Sequence, residues 1–169
     1  MITENQRDYL SKLDSQKSER MIKVYPYNPR TSEIAEAIIS GIKNTIPEAG
    51  VRFMGASALS ISGQNDVDIY IICPSELRKT YSEKLNFVAL TELGNKWKGP
   101  GDEIEISIYL SDPNDSKFKE QVEIFEKLKN NPTLLKEYEN LKKANSGKTY
   151  KEYQTAKYEF YNRVLGISG

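Results

Sequence analysis

Apolar and polar positions alternate most cleanly from Asp66 to Cys73. Val67, Ile69, Ile71 and Cys73 hold one parity, and Asp66, Asp68 and Tyr70 hold the other. Period two is the signature of a strand with one buried face, and Pro74 closes it. The same alternation predicts a strand over Glu103–Leu110. Ile104, Ile106, Ile108 and Leu110 face one way; Glu103, Glu105, Ser107 and Tyr109 face the other, and Asp112-Pro113-Asn114-Asp115 ends the run. Helical spacing replaces it elsewhere. Ile34, Ala35, Ile38, Ile39, Ile42 and Ile46 predict a helix capped by Ser32 and stopped at Pro47. After residue 115 three stripes follow: Phe118, Val122, Phe125 and Leu128; Leu134, Leu135, Tyr138 and Leu141; and Tyr150, Tyr153, Ala156, Phe160 and Val164.

Shorter segments complete the order. Residues 3–20 read as a short helix or arm, and Met21–Tyr25 is strand-like until the Pro26-Tyr27-Asn28-Pro29 turn. Val51–Met54 is a short strand running into the small-residue turn Gly55-Ala56-Ser57-Ala58. Ser75 is expected to cap a helix reaching about Leu93, and a short strand or turn is expected around Trp97. Strands and helices in this order predict an α/β domain of the α+β kind, a small mixed sheet with flanking helices. The expected divisions are an N-terminal helix or arm at 1–20, an α/β core at 21–115, and C-terminal helices at 116–169 packed on the same domain.

Composition narrows the chemistry. The chain has 169 residues, an ordinary length for one domain. Its 24 Lys and Arg balance 24 Asp and Glu, so charge gives no global pull toward nucleic acid, which is not an expected partner. The single cysteine, Cys73, excludes an intramolecular disulfide. With no secretion-type leader at Met1–Arg7, the expected location is a reducing cytoplasm, and no apolar run approaches a membrane span. There is no histidine, which removes Ser-His-Asp catalysis and histidine-ligated zinc. Residues 101–115 carry five acidic and no basic residues, whereas residues 117–163 carry eleven Lys/Arg against seven Glu. An acidic segment beside a basic helical one suits a site that handles metal and phosphate.

The chemistry centres on Asp66 and Asp68. Two apart on a strand, they share a face with α-carbons about 7 Å apart, and a divalent cation relieves their repulsion. An all-oxygen donor set suits Mg2+. The turn at Gly55, Ala56 and Ser57 presents backbone N–H groups to phosphate, and Ser57, Ser60 and Ser62 add hydroxyls. A third carboxylate comes from the later strand, where Glu105 can aim at the aspartate face; by alternation alone Glu103 is its equal.

A glycine-small-small turn, a short loop, an Asp-x-Asp strand and a later acidic strand resemble the nucleotidyltransferase superfamily. Ile22-Lys23-Val24-Tyr25-Pro26-Tyr27-Asn28-Pro29 resembles the opening of its GrpB-like family, whose members begin with a strand and a Pro-Tyr-Asp-Pro turn. Tyr138-Glu139-Asn140-Leu141-Lys142 and Tyr153-Gln154-Thr155-Ala156-Lys157-Tyr158-Glu159-Phe160 resemble its closing helices. The likeness spans about residues 21–165. It implies a nucleotidyltransferase fold and matches Lys142 and Lys157 to the family's closing-helix lysines, which would reach a triphosphate. The chain departs from the pattern at Ala56, where the superfamily usually has serine. It also lacks the Gly-Ser-Thr and Lys-Pro elements of the family's loops, and Glu103 and Glu105 stand where the family often has histidine.

The function these readings imply is Mg2+-dependent transfer of a nucleoside monophosphate from a nucleoside triphosphate to an acceptor hydroxyl that the sequence does not name. Asp66, Asp68 and Glu105 would hold the metal and carry the catalysis; Gly55, Ala56, Ser57, Lys142 and Lys157 would bind the nucleotide. The alternative is a catalytically silent module that binds a nucleotide or another phosphate ligand.

Overall fold

Strands β1 (Gly50–Met54), β2 (Asp66–Ile72), β3 (Asn95–Lys98) and β4 (Glu105–Ser111) form one sheet in the spatial order β1-β2-β4-β3. β2 runs antiparallel to β1 and parallel to β4, and β3 pairs antiparallel with β4. The structure, a computed structural model, describes residues 1–85, 95–98 and 104–167. Glu103 and the far end of the helix expected to reach Leu93 lie outside the described residues. The helices are α1 (Glu4–Ser11), α2 (Ser15–Ser18), α3 (Arg30–Thr45), α4 (Gly55–Ala58), α5 (Arg78–Leu85), α6 (Ser116–Asn130), α7 (Pro132–Ala144) and α8 (Tyr150–Leu165).

The alternation in β2 and β4 sets the two faces of the sheet. Val67, Ile69 and Ile71 are buried with Ile106, Ile108 and Leu110, under Ala35 and Ile42 of α3, Ile46 just past its end and Tyr81 of α5. Truncating a side chain such as Ile69 here costs about 2–5 kcal/mol. The opposite face carries Asp66, Asp68 and Tyr70 and looks toward the C-terminal helices. Tyr70 donates to Gln121 of α6 at 3.0 Å and its ring lies 5.8 Å from that of Phe118. Arg52 of β1 pairs with Glu126 of α6 at 2.9 Å. A second core joins Ala56 and Ile61 to Ile124, Leu128, Tyr138 and Phe160 of α6, α7 and α8. Of the stripe expected in α6, Leu128 is buried, whereas Phe118, Val122 and Phe125 are half-buried and Ile124 takes the inner place.

Three local expectations are corrected. Met21–Tyr25 is not a strand of the sheet. Among the described residues it makes isolated bridges alone, Met21 to Thr149 and Tyr25 to Gly63. Its backbone bonds go to two loops: Ile22 N–H donates to Lys148 at 2.8 Å and Val24 N–H to Ser146 Oγ at 3.1 Å, while Tyr25 N–H donates to Gly63 at 2.7 Å. β-Propensity suits this extended segment, but the bonds it makes go to loops rather than to a strand of the sheet. Ser32 does not cap α3. The helix begins at Arg30, and Asn28 collects its first free donors, Arg30 N–H on the side-chain oxygen and Thr31 N–H on the carbonyl. Ser75 likewise begins a 3-10 turn, Ser75–Leu77, and spends its hydroxyl on Asp112 rather than on a cap.

Candidate functional site

Asp66 and Asp68 lie on one face of β2, both partly exposed. β4 extends that face in register: Glu105 stands opposite Asp66, Ser107 opposite Asp68 and Tyr109 opposite Tyr70. Glu105 is exposed at the open end of the row, and its N–H donates to the Asn65 carbonyl at 3.3 Å. The expected neighbours are therefore side by side in the sheet. No group of three or more Asp, Glu, Cys or His side chains is drawn together tightly enough for an ion among the described residues. Mg2+ is commonly held by one or two carboxylates, with waters and substrate phosphate completing the shell. The oxygen donors of Asp66 and Asp68 fit that arrangement.

Gly55 sits against this pair. Its φ of +88° lies in the left-handed region, and a β-carbon there would stand 2.9 Å from Asp68 Oδ2. Glycine thus serves two needs, the backbone conformation and the approach of the carboxylate. The Gly55–Ala58 segment forms one short helix, α4, whose N-cap position, Met54, supplies no side-chain cap. Ala56 is 4 % exposed and packs in the second core; Ser57 is 6 % exposed and donates its hydroxyl to the Asp66 carbonyl at 2.5 Å. The Ser57 hydroxyl thus anchors the start of β2. Ser62 Oγ is also engaged, donating to Glu139 at 2.9 Å.

The stacked Tyr70 and Tyr109 rings, 4.7 Å apart, continue the aspartate face. Burial and the nearby Asp68 charge push the Tyr109 phenol up to about 12. The same two causes, in the same order, hold Tyr70 well above the usual phenol range. Both tyrosines are therefore neutral hydrogen-bond donors at neutral pH.

The two expected lysines have different settings. Lys157 is partly exposed, its ammonium 5.3 Å from the Tyr161 ring centre. Tyr161, then Tyr153, Tyr70 and Tyr150, favour its charged form against the opposing effect of burial and hold it well above the ordinary lysine value. Lys142 is only 5 % exposed and donates to the Tyr153 hydroxyl at 2.8 Å. Burial pushes the Tyr153 phenol up, but Lys142 and Lys157 beside it more than offset this and hold it below its ordinary value.

Sequence reasoning read Asn28 only as a turn residue and Tyr138 only as core, and gave Asn65 and Tyr161 no role in the site. Asn28 Nδ2 donates to Asn65 Oδ1 at 3.1 Å, so the Pro-Tyr-Asn-Pro turn grips the residue before Asp66. The visible signal for Lys142 was its spacing, four residues after Tyr138 on the same helix face.

No family model matches the chain. A curated UPF0157 protein from Vibrio cholerae serotype O1 is 27 % identical over 131 residues, covering 72 % of this chain and 68 % of the relative. The crystal structure of the conserved protein GrpB from Enterococcus faecalis superposes with a TM-score of 0.57 at 16 % identity, over 84 % of this chain and 99 % of that one. Cid1, a protein with RNA terminal uridylyl transferase activity, gives a TM-score of 0.43 at 13 % identity, over 76 % of this chain and 44 % of Cid1. No helix among the described residues is long and apolar enough to cross a membrane. The chain therefore shares the fold of GrpB, a small mixed sheet with flanking helices.

Proposed function

We propose that the protein is a Mg2+-dependent nucleotidyltransferase that moves a nucleoside monophosphate from a nucleoside triphosphate to an acceptor hydroxyl. The observation that carries this reading is the Asp66–Asp68 pair on one sheet face, with Gly55 cut back to leave room for the Asp68 carboxylate. Asp66 and Asp68 would hold the ion, which when bound neutralises phosphate charge. Glu105, opposite Asp66, would receive the proton of the acceptor hydroxyl. The acceptor oxygen then bonds to the α-phosphorus as the bond to the β-phosphate oxygen breaks, and pyrophosphate leaves with that electron pair. Gly55, Ala56 and Ser57 would contribute backbone N–H groups to the phosphates, since the Ser57 hydroxyl is already committed. Lys157 would supply positive charge from α8. Most of the acceleration would come from positioning and charge neutralisation.

A second reading has its own support. Ala56 is packed in the core and offers no hydroxyl, and Ser57 spends its own on the Asp66 carbonyl. A module that binds nucleotide without turning it over would keep the aspartate pair and tolerate both. Pyrophosphate release separates the two. The transferase releases pyrophosphate from at least one nucleoside triphosphate with Mg2+ when supplied with a mixture of hydroxyl-bearing acceptors, and Asp66→Asn abolishes the release. The silent module is stabilised by nucleotide and releases none.

A further inference from the structure

The sheet face that carries the aspartates changes character along the strands, from carboxylates to rings. Tyr70 follows Asp68 by two residues on β2. Tyr109 follows Ser107, the residue opposite Asp68, by two on β4. A two-residue step along a strand is about 7 Å. The rings therefore lie one step beyond the carboxylate, on the same side of the sheet. They stack with centres 4.7 Å apart and planes 22° from parallel.

The two rings are held differently. Tyr70 is fixed by α6: its hydroxyl donates to Gln121 at 3.0 Å and its ring lies 5.8 Å from that of Phe118. Tyr109 has Tyr70 as its ring neighbour among the described residues, and it is partly exposed. Neither ring belongs to either apolar core, so core packing does not account for an aromatic pair at this place. A partly exposed ring backed by a second, fixed ring is a rigid stacking surface. A nucleobase binds such a surface through its π-face, whichever base it is.

We propose that Tyr109, backed by Tyr70, is the platform on which the base of the bound nucleotide stacks, the ribose spanning the step from the carboxylates to the rings. The proposal rests on the nucleotide reading above and adds to it the group that recognises the nucleoside end of the substrate. Stacking tolerates any base. The platform therefore separates nucleotides from base-free polyphosphates rather than one base from another. Tyr109 acts in binding, away from the reacting phosphorus.

Calorimetric titration of the full chain in Mg2+ tests this with two probes. One is α,β-methylene-ATP, whose cleavable bond is blocked; the other is tripolyphosphate, a phosphate chain with no base. The parent binds the nucleotide about tenfold more tightly than tripolyphosphate, within the range of one base–aromatic stack. Tyr109→Ile puts a strand-compatible residue without a ring in the same place. It loses that tenfold advantage and keeps the parent's affinity for tripolyphosphate, whereas Tyr109→Phe keeps both. Equal affinity of the parent for the two probes overturns the platform. So does parent-like nucleotide affinity in Tyr109→Ile, or a parallel loss for both probes in a variant that melts like the parent. Photolysis of 8-azido-ATP bound to the parent needs no variant to fold. It labels the peptide carrying Tyr109, and labelling confined to other peptides overturns the proposal. A parent that binds neither probe refutes the nucleotide reading and the platform with it; nucleotide binding indifferent to Tyr109 removes the platform alone.

Discussion

Gly55 and Asp68 are in such close approach that a β-carbon on the glycine would stand 2.9 Å from the carboxylate oxygen. Gly55→Ala meets two penalties at once, a positive φ that disfavours any side chain and a forced shift of Asp68. The variant is expected to lose about 1–3 kcal/mol of stability. It is also expected to lose more of its Mg2+–nucleotide stabilisation than the fold loss explains. Urea unfolding of parent and variant, each with and without Mg2+ and a non-hydrolysable triphosphate, measures both. Equal ligand stabilisation in the two proteins would show that the Asp68 carboxylate can move without consequence.

The grip of Asn28 on Asn65 makes a second prediction. Asn65 holds a φ of +59°, and its side-chain oxygen accepts from Asn28 at 3.1 Å. Asn28→Ala should cost about 1 kcal/mol through the lost hydrogen bonds and should weaken Mg2+–nucleotide binding, because Asn65 aims the start of β2. Thermal melts and nucleotide titration check this. Parent-like nucleotide affinity would reduce the turn to a structural clasp.

Glu139 predicts a pH dependence. Lys143, then Lys136 and Ser62, hold its carboxyl down at about 2, below the usual 4.5. A depressed carboxylate stabilises the fold above its unfolded value, and that contribution is lost as pH falls from about 4.5 through about 2. It joins α7 to the loop before Asp66 through Ser62 N–H and Oγ, at 3.2 and 2.9 Å. Glu139→Gln should cost about 1.5 kcal/mol at neutral pH and should flatten the acid limb of the melting curve in that window. An acid limb identical in parent and variant would contradict the assignment.

Much of this fold is legible along the chain because period-two and period-3.6 patterns are set by burial. β2, β4 and the three C-terminal helices follow their apolar positions. So does the pairing of chemistry on β2, since the residues opposite Val67 and Ile69 must face away from the core. What the pattern does not carry is tertiary partnership. Met21–Tyr25 has the composition of a strand, yet its partners are the 146–149 loop and Gly63. Ser57 has the look of a phosphate donor, yet its hydroxyl closes on the Asp66 carbonyl. Lys142 reads as a solvated or ligand-facing lysine. Its burial depends on Tyr153, eleven positions along the chain on another helix, whose hydroxyl no periodicity brings to it.

The central claim, that Asp66 and Asp68 hold a divalent ion together with a nucleotide, is tested most directly by a calorimetric melt of the parent and Asp68→Asn, with and without Mg2+ and a non-hydrolysable triphosphate. Without ligand, Asp68→Asn should be no less stable than the parent, because one of two repelling charges is gone. With Mg2+ and nucleotide the parent should gain about 2.7 kcal/mol at a hundredfold excess over Kd, and the variant should gain little. Parent and variant melting alike, with neither responding to Mg2+ with or without nucleotide, would make Asp66 and Asp68 ordinary surface acids and contradict the account.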